Sequence, residues 1–343
     1  MRASQPGINV TTRPRIYSSI ELVDRGEWMT VVDAGGAAAF YDYTFLRAYE
    51  RAPLQETDAF FYLVFGDPAV AVLPAYVQST DDAIGTISGL GLPGRSPGDR
   101  IMLTHVAHCY DTTFPAVPGT RPVRAACAAL DDLARQEGVK WFAFLNVEGD
   151  TPVAHQLEAA GLSRIPMNTR FRVDIGAYSG VEEFVSAIPS KKTRFRLRQN
   201  QRETERFGLE ISRPAPVDAG AAVELCRRTT ARHGTPDYYP ERFHEFVRLA
   251  AAVVRVEEVR LAGQLAAAAI CLHDRTRFHL WAGGIDYEVT ARLHSSFAML
   301  LWPSIADAIA LDARVFEGGR GNQAIKSRYR LSPVPLFAFV GST

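Results

Sequence analysis

VVRVEEVRLAGQLAAAAICLHDRTRFHLWAGG, residues 253–284, decides the fold. Apolar and β-branched residues run up to Ala262-Gly263-Gln264, where the residue types that punctuate hairpins appear, and a second apolar run follows. The pattern predicts strand, tight turn, strand. The same order occurs earlier, in FFYLVFGDPAVAVLPAYVQ (60–78), with its turn at Gly66-Asp67-Pro68. Behind each hairpin comes a helix and then a strand. Pro122–Glu137 places Val123, Cys127, Leu130, Leu133 and Ala134 at helical spacing, Gly138 stops it, and Trp141–Val147 reads as a strand. Ser295–Leu311 does the same through Phe297, Met299, Leu301, Ile305 and Ile309, ahead of a strand at Arg314–Glu317. Two copies of one α/β unit are therefore expected. The turn-rich DIGAYSG (174–180) marks the boundary, giving domains 1–174 and 175–343.

Length agrees, since 343 residues suit two domains of ordinary size. The composition is that of a globular protein, 47% apolar and 22% charged, so either half can bury a core. Net charge is zero, so an anion site must come from a local cluster. Cys109, Cys127, Cys226 and Cys271 are scattered with no CxxC pair, which fits a reducing compartment and neither a disulfide framework nor a zinc site. The first 26 residues show no apolar signal-peptide core, and no apolar run reaches the ~18 residues of a membrane span. A cytoplasmic protein without a membrane span is the expectation.

Beyond DIGAYSG, Val181–Ile188 reads as helical. After Pro189 a second helix opens at Lys191 with Ser190 as its N-cap and stops at Gly208. This second helix carries Lys191, Lys192, Arg194, Arg196, Arg198, Arg202 and Arg206 against Glu203 and Glu205. A one-signed excess of this kind suits the phosphates of a nucleotide, a coenzyme or RNA; a solvated surface helix is the other reading.

Two glycine-rich stretches mimic nucleotide sites. GLGLPG (89–94) matches GxGxxG, but Pro93 and Pro97 bar the helix that motif must open, so it reads as a loop. VFEGGRGNQAIKSRYRLSP (315–333) has glycines and a Lys-Ser pair, but Ile325, not glycine, precedes Lys326. It reads as a strand, a Gly-rich bend, a Lys-bearing turn and a last strand, Leu336–Val340. In HVAHCYD (105–111), His105, His108, Cys109, Tyr110 and Asp111 form a reactive cluster without the spacing of a metal set. On a strand, His105 and Cys109 would share one face, and His108 and Tyr110 the other. HLWAGGIDYEVTARLHSS (279–296) breaks at Gly283-Gly284 and reaches a helix start at Ser295-Ser296, which reads either as an anion or carbonyl site or as an ordinary connection.

Taken in order, IPSKKTRFRLRQNQRETERFG, VRLAGQLAAAAICLHDRTRFHLWAGGIDYE, SSFAMLLWPSIADAIALDARVFEGGRG and the Lys326–Arg330 tail resemble the tandem form of the GNAT N-acyltransferase superfamily. The branch they resemble is that of the Fem-type peptidoglycan-bridge aminoacyltransferases and their peptidogalycan-biosynthesis relatives. The basic helix is similar to the family's L-S-x-K-x-R-x-x-x-R, and the tail to its F-x-x-G-x-G-x-x-x-x-K-x-R ending. The resemblance covers residues 181–340 well and 55–165 less closely. It implies two α/β (α+β) GNAT-like domains, each a mixed, mostly antiparallel sheet flanked by helices, and acyl transfer from an activated donor to an amine.

Donors in such families are acyl-CoA or aminoacyl-tRNA. Acyl-CoA enzymes carry R/Q-x-x-G-x-G/A between the splayed strand and the helix. Here that place reads DYEVTARLHSSFAM (286–299), with no glycine. The departure favours aminoacyl-tRNA as donor, with no tightly bound cofactor and no metal. There is no room for the long coiled-coil arm that Fem proteins often insert, so the acceptor is the amine of a small molecule or of a peptidoglycan precursor. An acyl-CoA enzyme with an atypical phosphate loop, and a non-catalytic GNAT-fold module binding RNA or a nucleotide, are the competing classes.

Amine attack needs a neutral amine, a stabilised oxyanion and a held leaving group. Backbone N–H groups at Gly283, Gly284, Ser295 and Ser296 are expected to polarise the carbonyl. Lys326 is expected to hold a phosphate or stabilise developing charge, assisted by Arg328, Tyr329 and Arg330. Lys191, Lys192, Arg194 and Arg198 are candidates for donor phosphates. The base is sought among His108, Asp111, Asp286 and Glu317. A plain ion pair of Glu317 with Lys326 or Arg328 is the structural alternative.

Overall fold

The computed structural model describes residues 8–9, 13–105, 108–291, 293 and 295–343. Val106 and Ala107 of HVAHCYD, Arg292 and His294 of the stretch 286–299, and most of the N-terminal stretch read for a signal segment lie outside these. In chain order come β1 (Arg15–Tyr17), α1 (Arg25–Ala34), α2 (Tyr43–Arg51), β2 (Ala59–Phe65), β3 (Ala71–Gln78), β4 (Ile101–Thr104), α3 (Val123–Gln136), β5 (Trp141–Glu148) and α4 (Pro152–Ala159). Then follow β6 (Ser163–Asp174), α5 (Val181–Ser186), α6 (Lys191–Arg206), β7 (Leu209–Ser212), α7 (Gly220–Arg232), α8 (Phe243–Leu249), β8 (Val254–Leu261), β9 (Gln264–His273) and β10 (Arg277–Ile285). The chain ends with α9 (Ala298–Ala310), β11 (Val315–Arg320), α10 (Gln323–Arg328) and β12 (Ser332–Ser342).

Two compact units result, Met1–Asn168 with Pro335–Thr343, and Thr169–Val334. The sequence places a single divide at 174/175. The structure divides the chain at 168/169 and returns its last residues to the first unit, because β12 pairs antiparallel with β5, Leu336 opposite Glu148 through Ser342 opposite Trp141.

In the first unit the strand order is β1-β2-β3-β4-β5-β12. Its pairs are antiparallel except β4–β5, which run parallel from Ile101 and Trp141 to Thr104 and Phe144. Leu63, Leu73, Met102 and Phe144 pack with Leu130, Leu133 and Leu157 of α3 and α4. In the second unit the order is β6-β11-β10-β9-β8-β7. Here too one pair is parallel, β10–β11, from Arg277 and Val315 to His279 and Glu317. Each parallel pair is joined by the helix that follows its first strand, α3 or α9.

The Ala266–Ala269 run of β9 is fully buried. Small side chains are required because helices come very close. A Cβ on Gly284, opposite Ala268, would lie 2.6 Å from the backbone N of Cys226 and the backbone C of Leu225 in α7. Backbone cannot move aside as a side chain can, so alanine here overpacks the core. Leu300 and Met299 of α9 join the same core, where truncating a leucine to alanine costs about 2–5 kcal/mol.

One feature recurs in both units. In β11 the pairing with β6 slips after Glu317, so that Glu317–Arg320 spans what Arg172–Arg170 spans opposite, a bulge with Gly319 at φ +70°. In β5 the pairing with β12 slips after Phe144, with Asn146 at φ +55°. Each bulge begins at the last residue of parallel pairing. The extra residue bends and re-aims its strand there, and the two parallel strands part.

Several sequence expectations shift locally. The strand expected through HVAHCYD stops at Thr104, because His105 takes φ +86° and turns the chain out of the sheet, so no strand face orders His105 to Tyr110. The helix expected from Ser295 begins at Ala298, since residues 295–297 form turns that accept the N–H groups of 298–300. The helix over Val181–Ile188 ends at Ser186, where Ala187 and Ile188 close a final turn. The Lys-bearing turn is the short helix α10, entered through Gly321 at φ +73° and Asn322 at φ +53°. The strand at Arg314–Glu317 extends through the glycines to Arg320, and the last strand is longer than Leu336–Val340 at both ends.

Candidate active site

The parting of β10 and β11 gathers a group of buried charged and polar side chains. Glu317 sits at the last parallel pair, in register with His279 on one side and Arg172 on the other. It is fully buried, and the guanidinium Nε of buried Arg170 lies 3.8 Å from its Oε2. His279 is buried as well, 3.6 Å from the Asp274 carboxylate. Past the bulge, Arg320 donates to the Tyr238 hydroxyl at 2.6 Å. The Arg320 carbonyl accepts from Lys326 Nζ at 2.7 Å.

Lys326 is 3% exposed and stands 5.4 Å from the centroid of the Phe171 ring. Burial, and secondarily the nearby Arg320 guanidinium, pulls its ammonium down to about 7. An amine held there exchanges its proton near neutral pH, which an exposed lysine does not. Glu317 pairs with Arg170 rather than with Lys326 or Arg328. The fastening ion pair anticipated from sequence therefore has a different partner, one that β6 brings in from 147 positions earlier in the numbering.

The loop into α9 is tied to its surroundings. The Ser295 N–H points at Asn200 Oδ1 of α6 at 3.4 Å, and Ser295 Oγ lies 3.4 Å from the Tyr329 hydroxyl. The N–H groups of Ala298, Met299, Leu300 and Leu301 all donate to the carbonyls of residues 295–297. From Ala298 onward the start of α9 is thus a closed turn, and just ahead of it the N–H groups of Ser296 and Phe297 have no acceptor among the described residues.

Residues 191–329 match the family model described as an acetyltransferase (GNAT) domain. The match falls within the second unit, which is thus similar to a GNAT domain over residues 191–329. Solved structures extend the likeness over the whole chain. FemX aligns with 96% of this chain and 97% of its own at 11% identity and a TM-score of 0.67. L-PGS from Bacillus licheniformis aligns over 92% and 91% at 11% identity and 0.54. A tandem GNAT protein from the clavulanic acid biosynthesis pathway aligns over 96% and 97% at 13% identity and 0.54. The architecture is therefore the tandem GNAT fold that these structures share. Among curated proteins no sequence matches the chain.

The remaining sequence candidates fall around this GNAT-like unit as follows. Tyr329 is buried and Arg330 donates to the Tyr178 hydroxyl at 2.6 Å, while Arg328 is exposed. Asp286 accepts from the N–H groups of Val289 and Glu288 and pairs with Arg228 at 3.1 Å, so backbone hydrogen bonding holds its carboxyl below the usual range. A carboxylate so stabilised is a weak base. Gly283 and Gly284 pair with Ala269 and Ala268 and admit Leu300 and α7 at close range. On α6, Arg194 donates to the carbonyls of Ile188 and Pro189, and Arg198 reaches Ser186 and Glu182, both closing the α5–α6 corner. Lys191 and Lys192 are exposed, with no hydrogen bond or ion pair among the described residues.

His108 and Asp111 belong to the first unit, both buried, as is His105. Burial pulls His105 down to about 3, so its imidazole is neutral, and its ring lies 4.6 Å from that of Tyr41. Asn146 Nδ2 of the β5 bulge donates to the Cys109 carbonyl at 2.7 Å. Sequence reading missed Arg170, Arg320, Tyr238 and Asn200. The alternation Arg170-Phe171-Arg172-Val173 was the available sign that two arginines share a strand face. Among the described residues no group of His, Cys, Asp and Glu is arranged to hold a metal ion, and no helix is long and apolar enough to cross a membrane.

Proposed function

We propose that the second, GNAT-like unit transfers an aminoacyl group from aminoacyl-tRNA to an amine of a small molecule or cell-wall precursor. The observation that carries this reading is the closed start of α9. A CoA pyrophosphate needs a run of free N–H groups there. Residues 298–301 offer none, and the two ahead of them, Ser296 and Phe297, stand in a loop that lacks glycine. A tRNA donor needs no such cradle. Its many phosphates are met by cations at a distance from the reacting ester, and α6 supplies Lys191, Lys192, Arg196, Arg202 and Arg206, which have no hydrogen bond or ion pair among the described residues.

In this reading the neutral acceptor amine attacks the ester carbonyl carbon. The C–N bond forms, and the proton shed by nitrogen passes to neutral Lys326. The C–O bond to the ribose breaks, and the leaving oxygen takes that proton back from the Lys326 ammonium. Proton transfer by a positioned group contributes about 10²–10⁴-fold. The buried Arg170–Glu317 pair supports the floor of the same strand parting.

The test is transfer from radiolabelled aminoacyl-tRNA and from acetyl-CoA to a panel of amines, with binding of both donors measured in parallel. Transfer from the tRNA with CoA silent is expected. Saturable CoA binding with acetyl transfer and no response to tRNA would return the chain to acyl-CoA chemistry.

A further inference from the structure

We infer that Phe195, on the outer face of α6, is a stacking platform for an unpaired base of an RNA donor, framed by lysines and arginines that hold the flanking phosphates. The inference rests on the aminoacyl-tRNA reading and deepens it. Phe195 is 61% exposed, although α6 has a buried face available in Leu197, Asn200 and Thr204. A single exposed ring is by itself ordinary, and what points to a partner is the set of side chains around this one.

Its neighbours state which kind. On a helix, residues three and four apart lie side by side. Lys191 and Lys192 stand one turn before Phe195, and Arg202 about two turns after it on the same side. Lys191, Lys192, Arg196, Arg202 and Arg206 have no hydrogen bond or ion pair among the described residues. Arg194 and Arg198, by contrast, are engaged in the α5–α6 corner. Lys191, Lys192, Arg202 and Arg206 thus share one side of the helix with the ring, while Arg196, the next residue, lies about 100° around from it. From Lys191 to Arg202 they cover about 16 Å of helix length, room for two or three phosphates of an extended strand.

A membrane surface would ask for a continuous apolar stripe opposite the cations. Here the stripe opposite is buried in the core, and the one large apolar side chain on the cationic face is a single aromatic ring. A ring between cations is the arrangement that binds single-stranded nucleic acid, where bases stack and phosphates pair.

The experiment measures binding of a fluorescent single-stranded RNA dodecamer, its duplex form, and phosphatidylglycerol vesicles to the full chain and to three variants over a range of salt. Phe195→Ala is expected to weaken single-strand binding roughly 5- to 150-fold with an unchanged salt slope, and Phe195→Trp to retain it. The triple variant Lys191→Ala, Lys192→Ala, Arg202→Ala is expected to reduce the slope itself, by about 0.7 per lost phosphate contact. RNA binding untouched by Phe195→Ala would overturn the stacking role while leaving the tRNA donor standing. No binding of the dodecamer by the unaltered chain would overturn the inference, while the donor reading stands or falls with the transfer assay from aminoacyl-tRNA. Phe195-dependent binding to vesicles with RNA silent would make this a membrane face and overturn the inference.

Discussion

In the first unit the parallel strands close at Thr104 and Phe144, and the bulge that follows carries Asn146 and then Val147. In the second they close at His279 and Glu317, and the bulge carries Gly319 and then Arg320. The backbone device is the same. Around the first lie rings, with Phe40, Tyr41 and Tyr76 about a neutral His105. Around the second lie Arg170, Glu317, Arg320 and Lys326. A shared fold thus presents one parting where aromatic rings surround a neutral imidazole, with His108, Asp111 and Asn146 also buried in that unit, and one where charges pair.

The sharpest break between the two would be functional. Lys326→Met, which keeps the length of the side chain and removes the amine, is expected to lower single-turnover transfer at least about 100-fold. His105→Asn, which suits the positive φ, is expected to change it less than about tenfold, since its imidazole lies outside the second unit. The unaltered rate should rise with pH through about 7, as Lys326 loses its proton. A rate that falls through that range would assign catalysis to the ammonium instead.

Stability should separate the partings next. Glu317→Gln removes the carboxylate charge beside buried Arg170 and is expected to cost about 3–5 kcal/mol in urea unfolding. Phe144→Leu, at the matching place in the first unit, should cost under about 1.5 kcal/mol.

The pH dependence of that stability then reports on each unit in its own window. Lys326 titrates at about 7 when folded and has an ordinary value of 10.5. Between these values the unfolded chain binds more protons, so this contribution raises stability as pH climbs, by roughly 3–5 kcal/mol in all. His105 titrates at about 3 when folded against an ordinary 6.5, so its contribution is lost as pH falls from 6.5 toward 3. Urea midpoints should show Lys326→Met flattening the upper window and His105→Asn the lower. The smallest expected effect is that of Ser190→Ala, which removes the N-cap bond from Thr193 N–H at 3.2 Å and should cost about 1 kcal/mol.

Much of this was legible in the sequence. The hairpin at Ala262-Gly263, the helix from Lys191 to Arg206 and the helix ending at Gly138 follow from local residue choice, and the structure has them. Lys326 stands out in the sequence by its place after the Gly-rich bend, with a fastening ion pair as the other reading, but its burial and its bond to the Arg320 carbonyl are not legible there. Arg170 and Asn200 do not stand out. Their significance comes from strands and loops that meet them from far along the chain, Glu317 for one and Ser295 for the other. Nor could the sequence tell that Gly283 and Gly284 face the tight packing of Leu300 and α7, because a glycine reads the same whether it frees an N–H or admits a neighbour.

The return of β12 to the first unit has a consequence in time. The open edge of β5 is paired only by residues roughly 190 positions downstream, which at ordinary elongation rates of about 5–20 residues per second leave the ribosome some 10–40 s later. The half that is synthesised first is thus the half that finishes folding last. During that interval the β5 edge, Phe142 and Phe144 included, is an unpaired strand open to aggregation, and completion of the first unit waits on residues 335–343.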